Sequence, residues 1–238
     1  MGVRFRGLGW IAPLYRCYLY RCYGTLSRVS PRTADPALRT ALIEAAAHLI
    51  ATEGLSGLSL RRLAAEVHTS TMSIYTHFGS MDEVRRAVRL EAFARFGAHL
   101  AAVAETADPV ADLALLGQAY YLNAVTNPDL YRAMFMEPCI DPDDAAIGLE
   151  TFEVLVAAVD RCIRAARFAE GDRVAMARQL WVMQHGAVTL HLVGLLSAED
   201  TVRTLSDMGA NLLVAFGDEQ VGVAAAAKGA SGPRTGRS

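Results

Sequence analysis

Four times along this chain an Asp or Asn stands immediately before a proline: Asp35-Pro36, Asp108-Pro109, Asn127-Pro128 and Asp141-Pro142. Each pair sets a capping oxygen ahead of a residue whose missing N–H costs nothing at the first position of a helix. Ser80-x-x-Glu83 reads as a capping box and Ser197-x-x-Asp200 as a related one, giving two more starts. Gly54, Gly171 and Gly217 read as helix stops. Between these marks the apolar spacing is helical, as in Leu38, Leu42, Ala45 and Leu49, and the alternating runs that build strands are absent. The predicted fold class is all-α, with nine helices: three in an N-terminal head and the rest in a C-terminal body.

The head is legible in the segment from Ser59 to Val84, SLRRLAAEVHTSTMSIYTHFGSMDEV. Leu60, Leu63, Ala64 and Val67 fall at i, i+3, i+4 and i+7, one apolar stripe of a short helix. His68-Thr69-Ser70 leaves room only for a sharp turn, and Ser70 can cap a second helix from Thr71 to Phe78. Ile74 and Phe78 point that helix inward. Its other face carries Thr71, Ser73, Thr76 and His77, with Tyr75 beside them. Short hydrogen-bonding side chains of this kind reach base edges and phosphates from the major groove. The pattern is a helix-turn-helix, and it predicts double-stranded DNA as the partner. Thr71, Ser73 and Thr76 are the candidates for base edges. Ser59, Arg61, Arg62, Ser70, Tyr75 and His77 are the candidates for phosphate positioning. With no Arg on the second helix, few bidentate guanine contacts are expected, and specificity leans on threonine methyls, water and DNA shape.

The order L-R-R-L-A-A-E-x-x-x-S-x-x-S-I-Y-x-H-F-x-S-x-x-E-V resembles the DNA-binding domain of the TetR family of bacterial one-component regulators, over about residues 36–90. Two positions depart from it. His68 stands where the family usually has Gly, in a turn that wants φ > 0, which His tolerates better than most residues. Met81 stands where a Lys often meets a phosphate. Residues 127–136, NPDLYRAMFM, and the run Trp181-x-x-x-His185-Gly186 are similar to a subgroup with a Trp-x-x-x-His-Gly signature in its C-terminal domain. The resemblance implies a C-terminal domain that binds a small organic effector. Tyr120, Tyr121, Met134, Phe135, Met136, Phe152, Trp181 and His185 are the candidate cavity residues, and no basic side chain is expected among them. It also implies a homodimer through the last two long helices, about 172–196 and 198–216. Their apolar residues on several faces, Leu190 to Leu196 and Leu205 to Phe216, point the same way.

The net charge of −2 is unevenly spread. Residues 1–34 sum to +6, 35–90 to 0, 91–227 to −11 and the remainder to +3. That asymmetry suits a chain whose N-terminal end alone meets phosphates. The expected organisation is a basic, disordered extension 1–34, a DNA-binding head 35–80, an effector and dimerisation body 81–217, and a disordered tail 218–238. No apolar run suits a membrane span. Cys17, Cys22, Cys139 and Cys162 lack metal or disulfide spacing, so no metal or cofactor is expected, Cys162 reads as core, and a reducing cytoplasm fits.

These features predict a ligand-responsive transcriptional regulator, a repressor released from a near-palindromic operator by its effector. Two alternatives stay open at this stage. One is a protein-binding adaptor on a helix-turn-helix scaffold. The other is an all-helical enzyme, for which no HExxH, G-x-S-x-G, P-loop or paired Glu-x-x-His motif is present.

Overall fold

The computed structural model describes residues 35–135 and 148–221. The extension 1–34, the Asp141-Pro142 start, Asp143, Asp144, Met136, the cysteines other than Cys162, and the tail from residue 222 lie outside the described residues. Nine helices are present among those described. They are α1 (Pro36–Glu53), α2 (Leu60–Glu66), α3 (Thr71–Phe78), α4 (Met81–Ala101), α5 (Pro109–Thr126), α6 (Pro128–Phe135), α7 (Leu149–Arg164), α8 (Arg173–Leu192) and α9 (Ala198–Ala215).

Most starts follow the predicted caps. Asp35 Oδ1 accepts from the Ala37 amide at 3.0 Å, and Asp108 Oδ1 accepts from Val110 and Ala111 at 3.1 and 3.2 Å. Ser80 and Ser197 accept from the amides of Glu83 and Asp200. Asn127 differs: its amide nitrogen donates back to Asn123, and its Oδ1 accepts from Arg95 at 3.2 Å rather than capping α6. Gly171 is not a stop either. α7 already ends at Arg164, and the residue that turns the chain is Ala166 at φ 53. The positive φ expected at His68 is present, at 53° in the turn between α2 and α3.

One apolar core runs without a break from the head into the body. Leu42, Ile43, Leu49 and Ile50 of α1 bury against Leu63 of α2 and Ile74 of α3. The same cluster continues through Val84 and Val88 of α4 to Tyr131 of α6 and Val188 of α8. Each such side chain contributes roughly 1.5–3 kcal/mol by leaving water. The division expected at residue 80 is therefore no gap in packing, because α1 lies against both α4 and α6. A second cluster, around Val110, Val159, Cys162, Phe168 and Phe216, closes the far end of the body. Burial there pushes the Cys162 thiol up to about 11, which makes it an inert packing residue. The tail boundary expected at 218 falls early: Asp218 is buried and Val221 packs on the second cluster.

Among the described residues no helix is long and apolar enough to cross a membrane.

Candidate nucleic-acid interface and effector cavity

α2 and α3 are set by two serine caps and one buried anchor. Ser59 Oγ accepts from the Arg62 amide at 3.4 Å, and Ser70 Oγ from the Ser73 amide at 3.1 Å. Ile74, 1% exposed, pins α3 to the head. The Arg39 guanidinium lies 5.2 Å from the centre of the Phe78 ring and ties α1 to the end of α3. The outward face then presents Thr71, Tyr75 and Thr76, all exposed, with Ser73 half-buried.

The structure separates the phosphate candidates. Arg61 is exposed, and Ser59 and Ser70 stand at helix N-termini, where backbone N–H groups attract anions. Arg62 is committed elsewhere, to Glu53 and Glu66, each at 2.9 Å. His77 is half-buried beside Phe78, and its Nδ1 is buried without a hydrogen-bond partner among the described residues, so a phosphate contact would fall to Nε2. The residue that sequence reasoning passed over is Met72, 70% exposed on the same face.

A cavity of about 1320 Å³ lies among α4, α5, α7, α8 and α9, with the end of α6 reaching it through Phe135. Of the candidate cavity residues, Tyr120, Tyr121, Phe135, Phe152 and Trp181 are in its lining. Met134 and His185 stand outside the lining: Met134 is buried in the head-to-body core. Phe93, Phe96 and Leu100 add an apolar wall from α4 that the sequence reading did not include, although their i, i+3, i+7 spacing was there to be read. Phe93 takes the space a side chain would need at Gly148, where an added Cβ would fall 2.1 Å from the ring. The expectation of a wall without bases is overturned, because Arg89, His99 and Arg178 also line the cavity. Arg89 lies 5.7 Å from the centre of the Phe93 ring, and its Nε is buried with no hydrogen-bond partner among the described residues.

His185 sits behind this wall in a polar knot. Its Nδ1 lies 2.7 Å from the Tyr131 hydroxyl and 3.1 Å from that of Tyr120, and the two hydroxyls are 2.9 Å apart. Burial lowers the His185 pKa, raises that of Tyr131 to about 12 and pushes that of Tyr120 up as well. A neutral ring accepting at Nδ1 lets one hydroxyl donate to it and the other donate to that hydroxyl, so the knot closes without a charge. Because the native ring resists protonation, its stabilising contribution is complete above the unfolded value near 6.5 and falls as pH drops below it. The apparent Tm should therefore be lower at pH 5.5 than at pH 7.5, and the difference should shrink in His185→Gln. An unchanged difference in the variant would show that His185 is not its source.

α6 joins this knot to the head. Phe135 faces the cavity, Tyr131 holds His185, and Asp129 Oδ2 meets His48 Nδ1 of α1 at 2.9 Å. Arg95 of α4 adds a second tie: it pairs with Glu44 of α1 and donates to Asn127 at the foot of α6.

A three-helix head that exposes the polar face of α3, carried on a helical body with a large aromatic cavity, defines a helix-turn-helix regulator. Residues 42–88 match the model of the bacterial regulatory proteins of the tetR family, and residues 113–212 match a tetracyclin repressor-like C-terminal domain. An uncharacterized HTH-type transcriptional regulator of Mycobacterium tuberculosis is 28% identical over 174 residues, covering 71% of this chain and 77% of its own length. Among solved structures, a protein with unknown function from a Rhodococcus species superposes with a TM-score of 0.64 at 24% identity, over 75% of this chain and 95% of that one. The TetR family transcriptional regulator PfmR from Thermus thermophilus gives 0.62 at 22% identity, over 72% and 96%. The chain belongs to the TetR family of transcriptional regulators and carries that family's helix-turn-helix DNA-binding domain.

Proposed function

We propose that this protein is a homodimeric, ligand-responsive repressor that acts in the cytoplasm on a near-palindromic operator. The observation that carries the reading is the position of α6, which touches the cavity at one end and the first helix of the DNA head at the other. Two copies of α3 would enter successive major grooves about 34–36 Å apart. Thr71, Ser73 and Thr76 face the bases in this arrangement, while Ser59, Arg61, Ser70, Tyr75 and His77 hold phosphates. A molecule that displaces Phe135 or Tyr120 shifts α6, and with it the angle at which α1 holds the head. Coupling on the order of 1–3 kcal/mol is enough for such a switch, provided the effector binds the two head arrangements unequally. The effector fitting these walls has a large apolar or aromatic body and an acidic or strongly polar group that can meet Arg89.

The test is a mobility shift of DNA fragments flanking the protein's own gene, repeated with added compounds. Specific retardation at low salt is expected, with release by apolar organic acids at lower concentration than by their amides. No retardation of any fragment would overturn the repressor reading. Retardation that no apolar compound relieves would overturn the effector.

A further inference from the structure

We propose that α3 discriminates its operator mainly by apolar contact with the C5-methyl groups of thymine, and that Met72 is the principal specificity-determining residue. This rests on the DNA-binding reading above and assigns the chemistry of its readout. Three independent observations converge on it. The helix TMSIYTHF contains no Arg, Lys, Asn or Gln, the side chains that read guanine and adenine by paired hydrogen bonds. The Thr76 hydroxyl, a natural donor to a base edge, instead donates to the Met72 carbonyl at 2.9 Å, so this exposed residue has only its acceptor lone pairs and its γ-methyl to offer. Met72 itself is 70% exposed and belongs to neither core cluster.

Met72, Tyr75 and Thr76 stand at i, i+3 and i+4, so they form one face of the helix. A lone exposed apolar residue needs no explanation. A methionine, a half-exposed tyrosine ring and a threonine stripped of its donor, side by side on the surface that meets DNA, form a contiguous apolar tip. In the major groove the one apolar group a base pair presents is the thymine methyl. The methionine chain is unbranched and its sulfur polarizable, so it can settle around a methyl without a fixed approach angle. Ser73 does not compete for this role, since it is half-buried and its side chain carries no methyl.

The experiment starts by selecting bound sequences from a pool of random duplexes with the full-length protein. Each thymine of the selected half-site is then replaced by deoxyuridine, which removes the methyl and nothing else. Affinity should fall about fourfold per contacted methyl, and roughly fifteenfold when both half-sites are changed. Replacing the same base by 5-methylcytosine should cost less than replacing it by cytosine. Met72→Ala should weaken the thymine operator and bind thymine and uracil forms alike at the contacted position. Because Met72 is exposed, its circular dichroism and Tm should match those of the parent. Specific binding that tolerates uracil throughout overturns the inference and leaves the regulator reading in place. A uracil penalty that persists unchanged in Met72→Ala overturns the role of Met72. No selected duplex at all overturns the DNA reading together with this one.

Discussion

Glutamate at Val182 together with glutamate at Leu190 should convert the protein from dimer to monomer and weaken operator binding by roughly 10²–10⁴-fold, the gain that linking two half-site contacts provides. The argument begins with what α8 leaves uncovered. Val182, at 58% exposure, and Val193, at 52%, lie on one face with Gly186 and Leu190. The steps of four and three residues between these positions keep them aligned along the helix. Among the described residues no other part of the fold comes within 4 Å of a Cβ added at Gly186, so the surface there is open. α9 also leaves Val202, Met208 and Val214 exposed, on different sides of the helix, and Thr201 is its one buried residue. Among the described elements α9 makes its extensive contacts with α8 alone. Exposed apolar residues on two neighbouring helices are what the proposed two-fold contact would cover. The charges are placed on exposed positions, so helix content should stay at the parent level. Sedimentation or light scattering reads the mass, and a mobility shift reads the affinity. A double variant that stays dimeric would place the two-fold contact on another surface.

How much of this could be read from the chain varies with the range of the interaction. Caps are local, so Asp35, Asp108, Ser70, Ser80 and Ser197 announced their helices correctly. The positive φ at His68 was equally local. Asn127 failed because a distant residue, Arg95, took its side-chain oxygen. Arg62 is a mixed case: its pairing with Glu66 is one helical turn away, whereas Glu53 reaches it only through the packing of α1 against α2. In the cavity the aromatic positions were recognisable by type, but neighbours one residue apart face different ways. Phe135 lines the space and Met134 is buried in the core beside it. His185 was marked as a polar group near a ligand, but two tyrosines from α5 and α6 take its Nδ1, and neither pairing has a signature in the sequence. The basic wall escaped notice for a similar reason. Arg89 follows the head so closely in sequence that only the path of α4 brings it to the cavity.

Asp218→Ala should destabilise the protein by about 3 kcal/mol, at the lower end of what breaking a buried ion pair costs. For a chain of this size that corresponds to a fall in Tm of roughly 6–12 °C. The Asp218 side chain is 0% exposed and the Arg167 side chain 17%. Oδ2 accepts from Arg167 Nε at 3.0 Å and lies 2.8 Å from Nη2, while Oδ1 accepts from the Val221 amide at 2.8 Å. Removing the carboxylate strands the guanidinium in a nearly dry site, and its remaining partner, Asp108 at 3.0 Å, answers only Nη1. The loss also frees the end of α9, which is otherwise held there by the Ala169 amide donating to Phe216 O at 2.8 Å. Two controls separate charge from packing. Arg167→Met combined with Asp218→Leu should recover most of the stability, since an apolar pair leaves no uncompensated charge. Asp218→Asn should fall between, keeping the acceptor for the Val221 amide without the ion pair. Because α9 belongs to the face assigned to the two-fold contact, the alanine variant should also lose dimer at concentrations where the parent keeps it. A Tm within a degree or so of the parent would mean that the carboxylate contributes no net stability. A low Tm that the apolar pair fails to restore would move the cause from the buried charge to the backbone turn at Gly217, whose φ of 106 brings Asp218 inward.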